Sequence, residues 1–172
     1  LHWACTEANN LVIVRLLLEA SSSLLHARDS TGCTPLLIAA QYGQVETVAY
    51  LLQKNANIQD LDESRDSATH WAAYKGSHTV LGLLSFYSTT QLVTPDAYGQ
   101  TPLHLASLRG HASVCRYILE TAVTVPQARR LLNLADKNGR TPLELAKHKQ
   151  QWAVVQTLQA CQARLAPVNQ YN

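Results

Sequence analysis

The tripeptide Thr-Pro-Leu decides the fold, because it stands at residues 34–36, 101–103 and 141–143 of one chain. A turn signal that ends in glycine precedes each copy: Asp-Ser-Thr-Gly at 29–32, Asp-Ala-Tyr-Gly at 96–99 and Asp-Lys-Asn-Gly at 136–139. A threonine hydroxyl suits the cap of a helix, and proline suits the first helical position, where its missing N–H leaves no bond unmade. The pattern predicts that a helix begins at the same point of each unit.

The spacing of these blocks adds two further units. Ser67 lies 33 residues after Thr34 and opens Ser-Ala-Thr-His-Trp-Ala, and Leu1 lies 35 residues before Leu36 and opens Leu-His-Trp-Ala. Three glycines stand where a short first helix needs a left-handed C-cap: Gly43, Gly76 and Gly110. A second helix with apolar spacing of three and four follows, and neighbouring units must stack to bury its apolar face.

A period near 33 residues with Thr-Pro-Leu-His resembles the ankyrin repeat. We therefore predict an all-α ankyrin-repeat solenoid of about five helix-turn-helix units joined by β-turn or hairpin fingers. A generic helical bundle is the alternative, but capping, turn and period all favour repeats. The expected single array covers 1–165, and a tail or linker covers 166–172. Its units are expected at about 1–27, 28–60, 61–94, 95–134 and 135–165.

Four departures from the repeat pattern predict local differences. Arg65 stands at the finger glycine, where a left-handed backbone costs about 1 kcal/mol, so we expect an irregular third finger. Ala68 replaces the helix-starting proline, so Ser67 must cap alone. The polar-aromatic stretch 86–94 predicts a longer loop, and the extra residues around 125–132 predict an added helical turn that begins at Pro126.

Composition narrows the class of protein. The chain has 172 residues, 47% of them hydrophobic, which is enough for one cooperative array. A net charge of +2 with 15% charged residues is far from the basic stripe of a nucleic-acid binder. No apolar run approaches the ~18 residues of a membrane span, and no signal peptide opens the chain. Four cysteines without a Cys-x-x-Cys pair indicate reduced thiols of a cytosolic protein.

The sequence contains no Gly-x-Ser-x-Gly, Gly-x-x-x-x-Gly-Lys or His-Glu-x-x-His motif. Three histidines share one repeat position, where an imidazole is expected to tie neighbouring turns together rather than bind a metal: His2, His70 and His104. Cys5 near His2 lacks an orienting third group for nucleophilic catalysis. The other histidines are expected at the surface or in loops: His26, His78, His111 and His148. We expect no catalysis, no cofactor and no metal in this segment.

A binding surface is expected on the concave face, which first helices and finger tips line. Its solvent-facing positions are expected at the finger tips and at the two residues before each C-cap glycine or its equivalent. Two units carry an indole, Trp3 and Trp71, where an aliphatic residue is usual. Together with Tyr42, Tyr74 and Tyr98 they are expected to form an aromatic run along one side of the stack. The alternative is that both indole rings fill the core. An aromatic trough would suit a proline ring or an extended apolar peptide, with charged residues fixing its direction. The predicted peptide- or protein-binding residues are Trp3, Glu7, Tyr42, Trp71, Tyr74, Lys75, Tyr98 and Arg109.

Several blocks resemble the ankyrin domain of Asp-His-His-Cys palmitoyltransferases. They are Leu-His-Trp-Ala at 1–4, Ala-Gln-Tyr-Gly at 40–43, Thr-Val-Ala-Tyr-Leu-Leu at 47–52, His-Trp-Ala-Ala-Tyr-Lys-Gly at 70–76 and the last unit from 136 to 147 with Trp152. The resemblance implies a cytosolic array that recruits substrates to a multi-pass membrane enzyme by binding extended segments that end in Gln-Pro. Trp3 is the tryptophan that it places against the peptide. The array would then face the cytosol at an intracellular membrane such as the Golgi.

Two functions stay open at this point. One is a non-catalytic domain that recruits substrate proteins to a membrane-bound protein S-palmitoyltransferase, whose catalytic and transmembrane segments are not among these 172 residues. The other is a soluble adaptor or scaffold that binds another protein through the same concave face. In both cases we expect a protein or peptide partner, no nucleic acid, no membrane-spanning segment in the fragment, and a monomer.

Overall fold

The computed structural model describes residues 1–121 and 124–165, so the expected tail at 166–172 lies outside the described residues. Within these ranges the chain forms ten α-helices: α1 Leu11–Ala20, α2 Pro35–Tyr42, α3 Val45–Gln53, α4 Ala68–Lys75, α5 His78–Tyr87, α6 Pro102–Arg109, α7 Ala112–Thr121, α8 Val125–Asn133, α9 Pro142–His148 and α10 Trp152–Leu165. Three 3₁₀ helices accompany them: Trp3–Thr6, Ser22–His26 and Thr90–Leu92.

The helices form two layers of a stack. The inner layer consists of the 3₁₀ helix Trp3–Thr6 followed by α2, α4, α6 and α9, each of which packs on the next. The outer layer runs through α1, α3, α5, α7 and α10. The predicted all-α ankyrin-type solenoid is therefore confirmed, with five helix pairs in the described part of the chain. Its unit boundaries remain predictions.

The inner helices begin and end where the repeated residues predict. Pro35, Pro102 and Pro142 are the first residues of their helices. The glycines that follow three of the inner helices have the expected left-handed backbone: Gly43 at φ +75°, Gly76 at +81° and Gly110 at +86°. In the first unit Ala8 occupies the glycine position, and the inner element there is the four-residue 3₁₀ helix.

Capping by the repeated hydroxyl differs between units. Ser67 accepts a hydrogen bond from the backbone N–H of His70 without help from a proline, as expected. The hydroxyl of Thr34 is buried and has no hydrogen-bond partner among the described residues. The expected hydroxyl cap is therefore absent at the start of α2.

The shared histidine links neighbouring turns, as predicted. The Nε2 atom of His70 donates to the carbonyl of Gln100 at 3.2 Å, and that of His104 donates to the carbonyl of Leu134 at 3.0 Å. The His2 ring lies 2.9 Å from the carbonyl of Cys33. Each ring therefore joins its own helix start to the backbone that leads into the next inner helix.

The third finger is regular, so the expectation of an irregular one is wrong. Arg65 adopts the left-handed backbone of the missing glycine, with φ +63°. Its N–H bonds to the carbonyl of Asp62 at 3.0 Å, as Gly99 bonds to Asp96 in the fourth finger at 3.2 Å. The strain is therefore held by one residue and does not deform the turn.

Replacing Arg65 by glycine should stabilise the array by about 0.5–1 kcal/mol, because it removes left-handed strain at a small cost in unfolded-state entropy. Urea unfolding followed by circular dichroism measures the change. Ala97→Gly in the fourth finger is the matched control, since Ala97 has no positive φ to relieve and should lose stability. Equal changes at both positions would contradict strain at Arg65.

Two inserted segments differ from the prediction in extent. Phe86 lies in α5, and residues 90–92 form a 3₁₀ helix, so a plain long loop is wrong. Buried Gln91 holds that turn by donating to the carbonyl of Ile58 at 2.7 Å. The added turn near Pro126 is present and is longer than expected, since α8 continues for nine residues after its Thr124 cap.

None of the helices in residues 1–121 and 124–165 combines the length and the apolar character needed to span a bilayer.

Candidate functional site

A row of exposed side chains marks the ends of the inner helices. Each unit contributes the residue that precedes its glycine or glycine equivalent, and all five are exposed: Glu7, Tyr42, Lys75, Arg109 and Lys149. The residue before each is partly buried in the first four units. These positions are solvent-facing, as the repeat register predicts. We refer to these five residues as the rim row.

The indole of Trp3 lies outside the core, with 86% of its surface exposed. It stands beside a shallow depression of about 290 Å³. The residues that line the depression are His2, Trp3, Thr6, Glu7, Asp29, Ile38, Gln41 and Tyr42. Ile38 supplies an apolar floor that is 9% exposed, and Tyr42 adds a phenol ring that is 46% exposed.

The backbone beneath this indole is held at several points. The Thr6 hydroxyl donates to the carbonyl of Trp3 at 2.9 Å. The amide of Gln44, from the second unit, donates to the carbonyl of Thr6 at 2.8 Å. The ring of His2 contacts the carbonyls of Ala27 and Cys33. Because the backbone beneath the ring is fixed, binding of a partner to this exposed indole costs little further main-chain entropy.

Trp71 has a different environment from Trp3. Its ring is half-buried and packs against the core, and its Nε1 donates to a carboxylate oxygen of Asp62 at 3.0 Å. The ring of Tyr74 meets it edge-on, with centroids 5.9 Å apart. The guanidinium of Arg109 lies 4.7 Å above the Tyr74 ring. These residues form a second group, with one edge in the core and one toward solvent.

The predicted residues thus fall into separate groups. Trp3, Glu7 and Tyr42 meet around the depression, while Trp71, Tyr74 and Arg109 meet two units later. Tyr98 lies on the fourth finger with 58% of its surface exposed. The stem of Lys75 lies beside Gly43 of the preceding unit. No ring-to-ring contact joins Tyr42 to Trp71 in the described residues, so the rings do not form one unbroken run.

Sequence reasoning missed the role of Asp62. The carboxylate forms a finger turn, as Asp29 and Asp96 do, and also binds an indole. One of its oxygens accepts from the N–H of Asp66 at 2.8 Å, and the other accepts from the indole of Trp71. In the third unit Asp62 precedes Trp71 by nine residues, and this spacing was the sequence signal that could have indicated the contact.

The family follows from the repeats themselves. The model of ankyrin repeats (3 copies) matches residues 1–91 and 69–167, which is nearly the whole chain. The chain belongs to the ankyrin-repeat family. Ankyrin repeats are protein-interaction units, and the stacked helix pairs and hydrogen-bonded fingers described above are their structural signature.

Ankyrin-containing relatives have diverse names. The array is 34% identical over 75% of its length to the human transient receptor potential cation channel subfamily A member 1 and 37% identical over 85% to dog inversin. It is 26% identical over 91% to the Arabidopsis thaliana putative E3 ubiquitin-protein ligase XBAT31. The aligned part spans 11%, 13% and 36% of those proteins, respectively.

The thiols of the array are buried and free. All four cysteines lie in the core without a disulfide: Cys5, Cys33, Cys115 and Cys161. Burial raises the pKa of Cys5 and of Cys115 to about 12, so both are protonated at neutral pH. The described residues hold no group of three or more His, Cys, Asp or Glu side chains arranged to bind a metal ion. A buried, protonated thiol is a weak nucleophile, so Cys5 and Cys115 are not activated.

Proposed function

We propose that this array is a protein-binding adaptor or scaffold that holds an extended polypeptide segment along its concave side. The single observation that carries the proposal is the exposed indole of Trp3 beside its depression. Burying about 100 Å² of such a ring contributes about 2.5 kcal/mol, which is the scale of an interface hot spot. Chemistry on the bound partner, where there is any, is then performed by other protein segments.

The shape of the site favours an extended segment over a folded surface. The depression is shallow and lies between the first two inner elements, with aromatic rings at its rim and Ile38 at its floor. A proline ring or a branched aliphatic side chain fits such a place, and a proline-containing segment loses little entropy when it docks. Glu7 on one side gives the site a polar edge that can orient the segment.

Recruitment of substrates to a membrane-bound protein S-palmitoyltransferase is the narrower hypothesis. Trp3 favours it, because the resemblance to Asp-His-His-Cys palmitoyltransferases assigns peptide contact to this position and the indole is exposed. The relatives named above include a cation channel and a putative ubiquitin ligase, and share the ankyrin array with the chain. The general adaptor function therefore has the broader support. Sequencing the full-length transcript tests the hypothesis, since it requires an Asp-His-His-Cys block and transmembrane helices.

Trp3→Ala should weaken peptide binding at least tenfold, because it removes the largest exposed apolar surface of the site. The probe is a panel of fluorescein-labelled ten-residue peptides, each with an apolar stretch followed by Gln-Pro. Fluorescence anisotropy gives the Kd. The thermal midpoint should change by less than about 2 °C, since an exposed side chain contributes little to stability.

The matched control for this variant is Trp152→Ala. Trp152 is also an exposed indole, with 62% of its surface accessible, but it begins an outer helix. This variant should bind the panel as the parent protein does. Equal loss in both variants, unchanged binding by Trp3→Ala, or a panel in which no peptide binds would contradict the proposed site.

A further inference from the structure

The rim row changes chemistry along the stack. It begins with a carboxylate at Glu7, continues with the phenol of Tyr42, and ends with three cations in consecutive units, Lys75, Arg109 and Lys149. All five side chains are exposed. We refer to the last three as the cation row. The two ends of the same ridge therefore carry opposite charge.

The cation row has no carboxylate partner within the described residues. The ion pairs there join Arg28 to Asp60, Arg140 to Asp136 and Arg164 to Glu120. None involves a member of the cation row. Two members contact the preceding unit, since Lys75 lies beside Gly43 and Arg109 lies over the ring of Tyr74. The charges are thus arranged by packing and left open to solvent.

Helix capping alone does not account for this row. A cation at a helix C-terminus is favoured by the helix dipole, and that contributes to each position separately. The same position carries Glu7 in the first unit and Tyr42 in the second, so the fold does not require a cation there. The finger carboxylates, such as Asp62, precede the opposite end of the inner helices, about 12 Å away along an eight-residue helix.

We infer that the cation row binds an acidic stretch of the polypeptide segment whose apolar part occupies the Trp3 depression. This inference rests on the proposed function and adds the chemical class and the polarity of the partner. Exposed apolar and aromatic surface lies at the first two units, and unpaired positive charge lies at the last three. A partner with both features makes complementary contacts along the whole ridge.

The repeat spacing also sets the spacing of the acidic residues. Consecutive inner helices pack directly on one another, which places equivalent residues about 8–10 Å apart. A peptide in the polyproline II conformation rises about 3.1 Å per residue with three residues per turn, so it passes one unit in about three residues and presents every third side chain to the same face. Aspartates at i, i+3 and i+6 therefore have the same spacing as the three cations of the cation row. Three consecutive aspartates span only one unit and can reach only one of these cations. Nucleic acid is disfavoured because the chain has a net charge of only +2.

The test uses fifteen-residue fluorescein-labelled peptides with one apolar Gln-Pro block. The acidic peptides carry aspartates at i, i+3 and i+6, on the N-terminal side of the block in one peptide and on the C-terminal side in another. Matched peptides carry asparagine at the same places, and a further pair carries three consecutive aspartates.

In 50 mM NaCl the spaced aspartates should tighten binding about tenfold in one of the two orientations, because three exposed ion pairs each contribute about twofold. In 150 mM NaCl the gain should fall.

The protein variants separate the cation row from net charge. Lys75→Glu, Arg109→Glu and Lys149→Glu together should reduce the ratio of the asparagine-peptide Kd to the aspartate-peptide Kd from about ten to about one. The matched control reverses three exposed cations of the outer side, Lys54, Arg116 and Arg130, with the same change in net charge. It should keep most of the gain. The glutamine versions of the three row substitutions provide the same ratio if the reversed row does not fold.

Each outcome decides one point. The proposal of an acidic partner is overturned if the spaced aspartates do not tighten binding, or if three consecutive aspartates tighten it equally. It is also overturned if the control variant loses the tighter binding as fully as the row variant does. A fifteen-nucleotide single-stranded DNA that binds more tightly than the spaced acidic peptide overturns it as well. If Trp3→Ala leaves all peptides unaffected while the row variant removes the gain, the Trp3 site fails and the cation row stands. If Trp3→Ala weakens every peptide and the gain never appears, the reverse holds.

Discussion

Alanine at Gly76 is expected to destabilise the array by about 2–2.5 kcal/mol. Gly76 ends α4 with φ +81°, a backbone that costs an alanine about 1 kcal/mol. A Cβ there would also meet the ring of His111 at 2.5 Å. The ring cannot leave freely, because its Nε2 bonds to the carbonyl of Tyr74 at 3.0 Å. Losing that bond adds about 1–1.5 kcal/mol.

Gly139 provides the control for backbone strain alone. Its φ is +75°, and nothing lies within 4 Å of a Cβ built on it. Gly139→Ala should therefore cost only about 1 kcal/mol. Urea unfolding of both variants gives the difference, and His111→Ala in the Gly76→Ala background should recover part of it. Equal losses at the two glycines would show that the ring yields to the methyl group.

His111 also shows where sequence reasoning stops. It lies in the loop between α6 and α7, which agrees with the expected surface or loop position, but its ring is half-buried and bridges two units through the carbonyl of Tyr74. The register alone could not reveal this contact, because it depends on which side chain faces the glycine of the preceding unit. Short-range signals, such as the prolines at helix starts and the glycines at helix ends, were read correctly because their causes are local.

Inserted elements were harder to predict than repeated ones. The segment that begins after Thr124 was recognised from its extra length and Pro126, but its continuation to Asn133 depends on apolar contacts with the rest of the stack. For the 3₁₀ helix at 90–92, the deciding contact is long-range, between the Gln91 amide and the backbone of Ile58. Polar composition predicted a loop because it carries no information about that partner.

The candidate site was predictable in its positions and less so in its geometry. The repeat register placed the rim row correctly, since each member follows from counting along one unit. It could not distinguish Trp3 from Trp71, which occupy the same repeat position. The difference arises because Trp71 donates to Asp62 and packs against the core, while Trp3 stands exposed beside a depression. Whether these residues bind a partner remains the prediction that Trp3→Ala tests.

In the Asp66→Asn variant, lowering the pH from 7 to 4.5 should reduce the free energy of unfolding by about 2–3 kcal/mol. The cause is His70, whose pKa burial lowers from its ordinary value near 6.5 to about 4. Its Nδ1 accepts from the N–H of Ser67 at 3.2 Å and its Nε2 donates to the carbonyl of Gln100, so the ring is held neutral. Below pH 6.5 the unfolded chain binds a proton there and the native chain does not, so stability falls by up to about 1.4 kcal/mol per pH unit. Burial lowers the pKa of His104 too, in the same direction.

Asp66 opposes this loss in the unmodified protein. Burial, followed by the nearby carboxylates of Asp62 and Asp96, raises the pKa of Asp66 from 3.8 to about 7. Between those values the native chain holds a proton that the unfolded chain has released, so acidification through this window stabilises the fold. The pKa of Asp96 is also raised, mainly by burial, and acts in the same sense. Because Asp66 is partly exposed, solvent screening reduces its contribution to about 1–2 kcal/mol.

The two residues therefore make opposite contributions, and the asparagine variant separates them. Asp66→Asn should be more stable than the parent protein at pH 7.5 by about 1 kcal/mol, since one of its buried oxygens has no hydrogen-bond partner among the described residues and the charge is lost. Its unfolding free energy should then fall more steeply with acid. Urea unfolding at pH 4.5, 5.5, 6.5 and 7.5 measures both effects, with exposed Glu63→Gln as the control. Parallel pH profiles for Asp66→Asn and the parent would show that Asp66 is ionised throughout this pH range. The fall in stability with acid would then have to come from His70, and an NMR titration of its ring would test that.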